Sequence, residues 1–167
     1  MMRYLTAFLL LLTPTSQLIA DETGEHSRLV PVTTATNLNI DGESARKEKK
    51  AILLLVSQEH CSYCMQIKRE VIGPMIRGGS YTDSLLIREL MLDGVSTVID
   101  FKGDKRDNHN FAHDYKVSVT PTLLFLDGEG KELAEKMVGM QTPDMYYYYV
   151  DQSVQEAINA LSGKPGE

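Results

Sequence analysis

Cys61 and Cys64 are the two cysteines of the chain, and only Ser62 and Tyr63 separate them. This spacing is useful when the first cysteine caps a helix and the second lies one turn inside it, because the first sulfur is then exposed and the second is sheltered beneath it. Unpaired N–H groups and the positive end of the helix dipole favour a thiolate at the exposed position. They lower a free-thiol pKa of about 8.5 toward roughly 3.5 to 7.5. Cys61 is then the thiol that attacks a disulfide, and Cys64 the one that resolves the mixed disulfide and releases the client. Run backwards, the same steps oxidise a client dithiol. Neither direction needs a metal or an organic cofactor.

Two plainer readings compete. A bridge across two intervening residues closes too small a loop to restrict the unfolded chain much, so a purely structural disulfide explains the spacing poorly. On paper His109 and His113, four residues apart, complete a zinc set with the cysteines. The stretch between the two pairs is far longer than the roughly 12–15 residues of a zinc finger, and the histidines read better as solvated surface. His60, directly before Cys61, either adds positive charge beside the thiolate or fills space on an exposed loop. A histidine changes charge near neutral pH, so the first version makes Cys61 pH-sensitive. Glu59 is a second modulator, and Tyr63 is either a contact for client peptides or a neutral spacer.

Several elements must position that pair. Residues 51–56 are continuously apolar and short, which suits a strand buried on both faces that leads straight into Cys61. After Ser62, the residues Cys64, Ile67 and Val71 fall on one helical face, with Lys68, Arg69 and Glu70 offset toward solvent. Gly73-Pro74 kinks or ends that helix. Residues 82–92 suggest a second helix and residues 95–101, rich in β-branched side chains, a strand. A charged loop over 102–106 follows, with Asp107 as the cap of the next helix. Thr120-Pro121-Thr122 introduces a strand over 123–126, Asp127-Gly128-Glu129-Gly130 is a hairpin turn, and 131–138 is the returning strand. Thr142-Pro143-Asp144 starts a closing helix whose stripe is Tyr147, Val150, Val154, Ile158 and Leu161. Of the four tyrosines at 146–149, one helical turn would bury two and expose two. Ahead of all this, residues 29–32 are a candidate edge strand, and the charged residues 41–50 a short helix with a solvated face over 46–50.

The chain of 167 residues has a formal net charge of −6, with 43% hydrophobic and 24% charged residues. That composition suits one globular domain. An acidic protein of this kind is a poor nucleic-acid ligand, since phosphate contacts need clustered Lys and Arg. Residues 1–20 stand apart. A positive start at Arg3 is followed by an apolar run over 4–12 and a small residue, Ala20, as the last one removed, the pattern of a secretory signal peptide. The run falls short of the about 20 residues that span a bilayer. The expected division is therefore a signal peptide at 1–20, an arm at 21–50, a folded domain at 51–162 and a tail at 163–167. The expected location is the periplasm or the extracellular space.

The buried strand entering Cys61-Ser62-Tyr63-Cys64, followed by Tyr115-Lys116-Val117, Thr120-Pro121-Thr122-Leu123-Leu124-Phe125, Asp127-Gly128 and Gly139, resembles the thioredoxin superfamily. The resemblance covers residues 51–161 and implies an α/β fold with a central mixed sheet flanked by helices. It also implies a cis peptide bond between Thr120 and Pro121 whose backbone, beside the cysteines, offers strand-like hydrogen bonds to a client. Departures from the cytosolic pattern are informative: His60 stands where tryptophan is usual, Ser62-Tyr63 replaces Gly-Pro, and Leu55 occupies the place of the buried aspartate thought to deprotonate the second cysteine. Cys64 therefore lacks an obvious base, with Glu59 or bound water as substitutes. The chain is similar to exported thiol:disulfide oxidoreductases, with a reductant favoured over an oxidant or isomerase. Its expected partners are exported proteins bearing thiols or disulfides and a membrane-bound redox protein, and it is expected to be a monomer. The competing function is a binding module that keeps the fold and a static disulfide.

Overall fold

A run of six apolar residues and a serine, every one buried, forms strand β1 (Ala51–Ser57). Burial on both faces is possible because β1 lies inside a four-stranded sheet of order β2-β1-β5-β6. The computed structural model describes residues 30–94 and 96–163. The expected signal peptide and its cleavage point, and residue 29 of the candidate edge strand, lie outside them. Strand β2 (Leu85–Met91) runs parallel to β1, while β5 (Thr122–Leu126) is antiparallel to β1 and to β6 (Glu132–Val138). Strands β3 (Thr97–Ile99) and β4 (Lys105–Asp107) form a separate two-stranded sheet, and Ile99 also bridges to Asn37.

Alternate residues of β1 feed two separate cores. Leu53 and Leu55 face a layer made by Ile67, Val71, Ile72 and Met75 together with Tyr146, Val150, Val154 and Ala157. Ile52, Leu54 and Val56 face Leu38, Ala45, Val98, Phe111 and Ala112. The first layer is built by α2 (Ser62–Ile67), α3 (Gly73–Gly78) and α5 (Tyr146–Leu161); the second by α1 (Leu38–Glu48), α4 (Asn108–Asp114) and β3. This is the mixed sheet flanked by helices that the resemblance implies. No helix among the described residues is long and apolar enough to cross a membrane.

Several local expectations are corrected. Residues 82–92 are not a helix: a turn over residues 80–84 leads into β2, which presents Leu85, Ile87 and Glu89 to one core and Leu86, Arg88 and Leu90 to the other. Its two central charged residues find partners distant in sequence. Arg88 grips Asp41 of α1 through three hydrogen bonds of 2.7 to 3.0 Å, and Glu89 binds Ser57 and Lys68. Helix α1 starts at Leu38, three residues before the expected point, because Asn37 caps it by accepting from the Ile40 N–H at 3.1 Å. Gly42 packs against Gly128 so closely that a Cβ there would sit 2.4 Å from the Gly128 carbonyl oxygen, which fixes α1 on the hairpin turn. The edge pairing expected over 29–32 falls later, where Thr33 and Ala35 hydrogen-bond the backbone of Glu89. The strand expected over 95–101 is confined to β3, and the charged loop contributes β4.

Gly73-Pro74 does not end the first helix. A π-helical turn (Lys68–Ile72) joins α2 to α3, with the Gly73 N–H donating to Lys68 O. Proline lacks an N–H and its ring collides with the carbonyl four residues back in a regular helix, so a turn widened by one residue lets the chain continue to Gly78. At the closing helix Thr142 makes no side-chain cap, and the chain enters through a 3₁₀ turn (Pro143–Met145). The buried stripe keeps the expected Val150 and Val154 but begins at Tyr146 rather than Tyr147 and includes Ala157. Tyr146 is buried and Tyr147, Tyr148 and Tyr149 are exposed, one inside and three outside.

Two expected outcomes follow from this packing. Burial pushes the Tyr146 hydroxyl, which donates to Gly139 O at 2.9 Å, up to about 12, and burial with the nearby carboxylates Glu132 and Asp127 does the same for Tyr115. The folded chain holds these protons more tightly than the unfolded chain, whose tyrosines titrate at about 10. Their stabilising contribution is therefore complete below pH about 10 and lost as pH rises through about 12. Urea-melt midpoints measured across that interval should fall, and Tyr146→Phe should flatten the fall. Separately, Asp41→Ala orphans a mostly buried Arg88 guanidinium and should cost about 2 kcal/mol in the same assay.

Candidate functional site

Strand β1 ends at Ser57, and Gln58, Glu59 and His60 form an exposed turn before Cys61. The turn is held to the loop after β2 by the Glu59 N–H, which donates to Asp93 Oδ2 at 2.7 Å, and by the Leu92 N–H, which donates to Ser57 O at 2.9 Å. Cys61 has extended backbone angles and caps α2. Its Sγ accepts from the Cys64 N–H at 3.1 Å and its carbonyl from the Met65 N–H at 3.1 Å. Cys64 lies one turn in and is completely buried, while Cys61 is partly exposed. The two sulfurs are joined, with an S–S distance of 2.09 Å and Cα atoms 5.2 Å apart.

The loop before β5 supplies the opposite wall. The Thr120–Pro121 peptide bond is cis. Thr120 Oγ1 lies 3.7 Å from Cys61 Sγ and 2.9 Å from Gln58 Oε1; the hydroxyl has one proton, and the amide oxygen, closer and the better acceptor, takes it. Pro121 is buried, and its carbonyl accepts from the Gly139 N–H at 2.8 Å, which ties the end of β6 to the same place. Tyr63, Met65 and Val119 expose apolar side chains within a few residues of this junction, with Tyr63 54% and Val119 49% exposed.

The structure thus brings Cys61, Cys64, Thr120 and Pro121 together and leaves Glu59, His60 and Tyr63 exposed beside them. His109 and His113 are exposed on α4, which packs on the sheet face opposite α2. Among the described residues no three of His, Cys, Asp and Glu gather as a metal site would require.

Two groups escaped the sequence reading. Gln58 is one, and its signal was only its place between the strand and the cysteines. The other is Glu89, 6% exposed, whose carboxylate accepts from Ser57 Oγ and pairs with Lys68 Nζ at 2.9 Å on the face covered by α2. The helix expected over 82–92 gave Glu89 no role.

Residues 38–153 match the family model described as a thioredoxin-like domain. Among solved structures the chain is similar to the DsbH oxidoreductase, with a TM-score of 0.53 and 18% identity over 76% of this chain and 88% of that one. It is also similar to the thioredoxin of Fasciola hepatica, with a TM-score of 0.51 and 13% identity over 75% and 98%. At these identities the likeness is one of fold. No curated protein matches the chain in sequence. The family match extends over most of the described residues and takes in the buried strand, the cysteine pair and the proline loop, and the chain belongs to the thioredoxin-like family.

Proposed function

We propose that the protein is an exported thiol:disulfide oxidoreductase that works as a reductant. The observation that carries the reading is a partly exposed Cys61 at a helix cap, bridged to a wholly buried Cys64 and set against the Thr120–Pro121 loop. In the reduced protein the Cys61 thiolate, stabilised by the Cys64 N–H that now donates to its sulfur, attacks one sulfur of a client disulfide. One client thiolate leaves and takes up a proton, and a Cys61–client disulfide forms. Cys64 then attacks Cys61 Sγ, the second client thiolate departs, and the Cys61–Cys64 bridge is restored. Two electrons have passed from the protein dithiol to the client.

Thr120, Pro121 and Tyr63 line the approach, and the apolar rim of Tyr63, Met65 and Val119 suits an extended client segment. His60 and Glu59 stand beside the approach, where their charges act on Cys61. The amino-terminal sequence supports export, with a signal peptide removed after Ala20, and the clients are then exported proteins bearing disulfides. A membrane-bound donor keeps the dithiol reduced, and the protein acts as a monomer.

Replacing Cys64 removes the resolving thiol and leaves the attacking one. Cys64→Ser should accumulate covalent mixed disulfides with client proteins on non-reducing gels, and Cys61→Ser should give none. If Cys64→Ser traps nothing and the wild-type protein neither reduces nor oxidises a model disulfide, the fold serves as a binding module with a static bridge. The reduction potential of the Cys61/Cys64 pair sets the direction: a value well below that of the compartment supports the reductant, and one well above it an oxidant.

A further inference from the structure

Resting on that reading, we infer that Gln58 competes with Cys61 for the one hydrogen bond that the Thr120 hydroxyl can donate, and so makes the cysteine pair a stronger reductant. The sheet sets up the contact. Strands β1 and β5 are antiparallel with Val56 opposite Thr122, and carrying that register two residues past the ladder sets Gln58 opposite Thr120. Ser57, just before Gln58, is held through its carbonyl by the Leu92 N–H at 2.9 Å, and the Thr122 hydroxyl donates to Val119 O at 2.8 Å, which steadies the loop. Thr120 Oγ1 is then 2.9 Å from Gln58 Oε1 and 3.7 Å from Cys61 Sγ.

Apart from its bond to Cys64, Cys61 Sγ meets two donors among the described residues, the Cys64 N–H and the Thr120 hydroxyl. The first belongs to the helix backbone, so the second is the adjustable one. In the disulfide, Sγ is a neutral and weak acceptor, and the hydroxyl turns to the amide oxygen. When a donor dithiol reduces the bridge, its two electrons and one of its protons leave Cys61 a thiolate and Cys64 a thiol; the donor closes to a disulfide and gives its other proton to water. The sulfur is now charged, and a hydrogen bond to a charged acceptor is about twice as strong as one between neutral groups. Rotation about one C–O bond turns the hydroxyl from Gln58 to Cys61 with no movement of the backbone. The thiolate gains the new bond less the one given up. Gln58 therefore leaves the thiolate less stable than Thr120 alone would make it, and a less stable dithiol passes its electrons on more readily. The charged groups beside Cys61 are Glu59 and His60 on the turn and Asp93, which accepts from the Glu59 N–H. None of them is a hydrogen-bond partner of the Thr120 hydroxyl.

Two measurements on the full-length protein read this competition. The rate at which iodoacetamide alkylates the reduced protein, followed across pH, gives the acidity of Cys61, and equilibration with glutathione gives the redox balance of the pair. Gln58 is exposed, so Gln58→Leu removes the competing acceptor without disturbing a core. It should raise the acidity constant of Cys61 about threefold, near the lower end of what one hydrogen bond contributes once water competes for it, and shift the glutathione equilibrium toward the dithiol. Thr120→Val removes the donor and should move both readings the other way, and Thr120→Ser should restore them. In the Thr120→Val background, Gln58→Leu should change neither. Unchanged acidity in Gln58→Leu, or the same rise in the Thr120→Val background, overturns the inference. A fall in acidity overturns it too, since the amide would then be donating to Thr120 and helping the thiolate. A wild-type protein that exchanges with no model disulfide overturns the proposed function alone, because the alkylation measurement needs no exchange.

Discussion

Everything at the site depends on β1 being buried on both of its faces. A strand whose seven side chains all escape water must be covered from two sides, and the two cores that cover it are the two layers of the molecule. Its neighbours then place the chemistry. Its own end delivers the turn to Cys61, its antiparallel partner β5 begins at the Pro121 loop, and its parallel partner β2 carries Glu89 in register with Leu55. Burying one leucine or phenylalanine side chain contributes about 1.5–3 kcal/mol. The position of a sulfur atom is in this way underwritten by a row of residues that never meet a client.

The helix that carries the cysteines shows a similar division of labour. Its first turn is capped by a side chain that is also the candidate nucleophile, and its interior carries a π turn. The widened turn lets one continuous rod run past Pro74 to Gly78, so Ile67, Val71, Ile72 and Met75 all reach the first core. A helix ending at Gly73 would have docked through its first turns alone. Lys68 opens the π turn and points into the sheet rather than outward, which is why its charge lies where a helical wheel would not put it.

What was legible in the sequence was whatever rested on neighbours along the chain. The unbroken apolar run of β1, the Cys61–Cys64 spacing, the Asp107 cap and the Asp127–Gly130 turn are local patterns with local causes. Strand β2 was not legible. Its residues read as a helix over 82–92, whereas in the fold they alternate between the two cores. The partners of Arg88 and Glu89 lie 47, 32 and 21 residues away in sequence, and only the folded chain shows that both charges are paired, with Glu89 buried and Arg88 mostly so. The same error hid Glu89. On the closing helix Val150 and Val154 were legible, while Tyr146 rather than Tyr147 is the buried tyrosine.

The sheet has two outer borders, and they are treated differently. The border at β2 is occupied by the backbone of the segment around Thr34, whereas β6 is the last strand in the order. That last strand is irregular in its pairing with β5 and carries Glu132, Glu135 and Lys136, two of them joined in an ion pair at 3.2 Å. Bulged, charged margins are poor templates for another copy's strand. Crowding many molecules together should therefore not stitch their sheets into fibres.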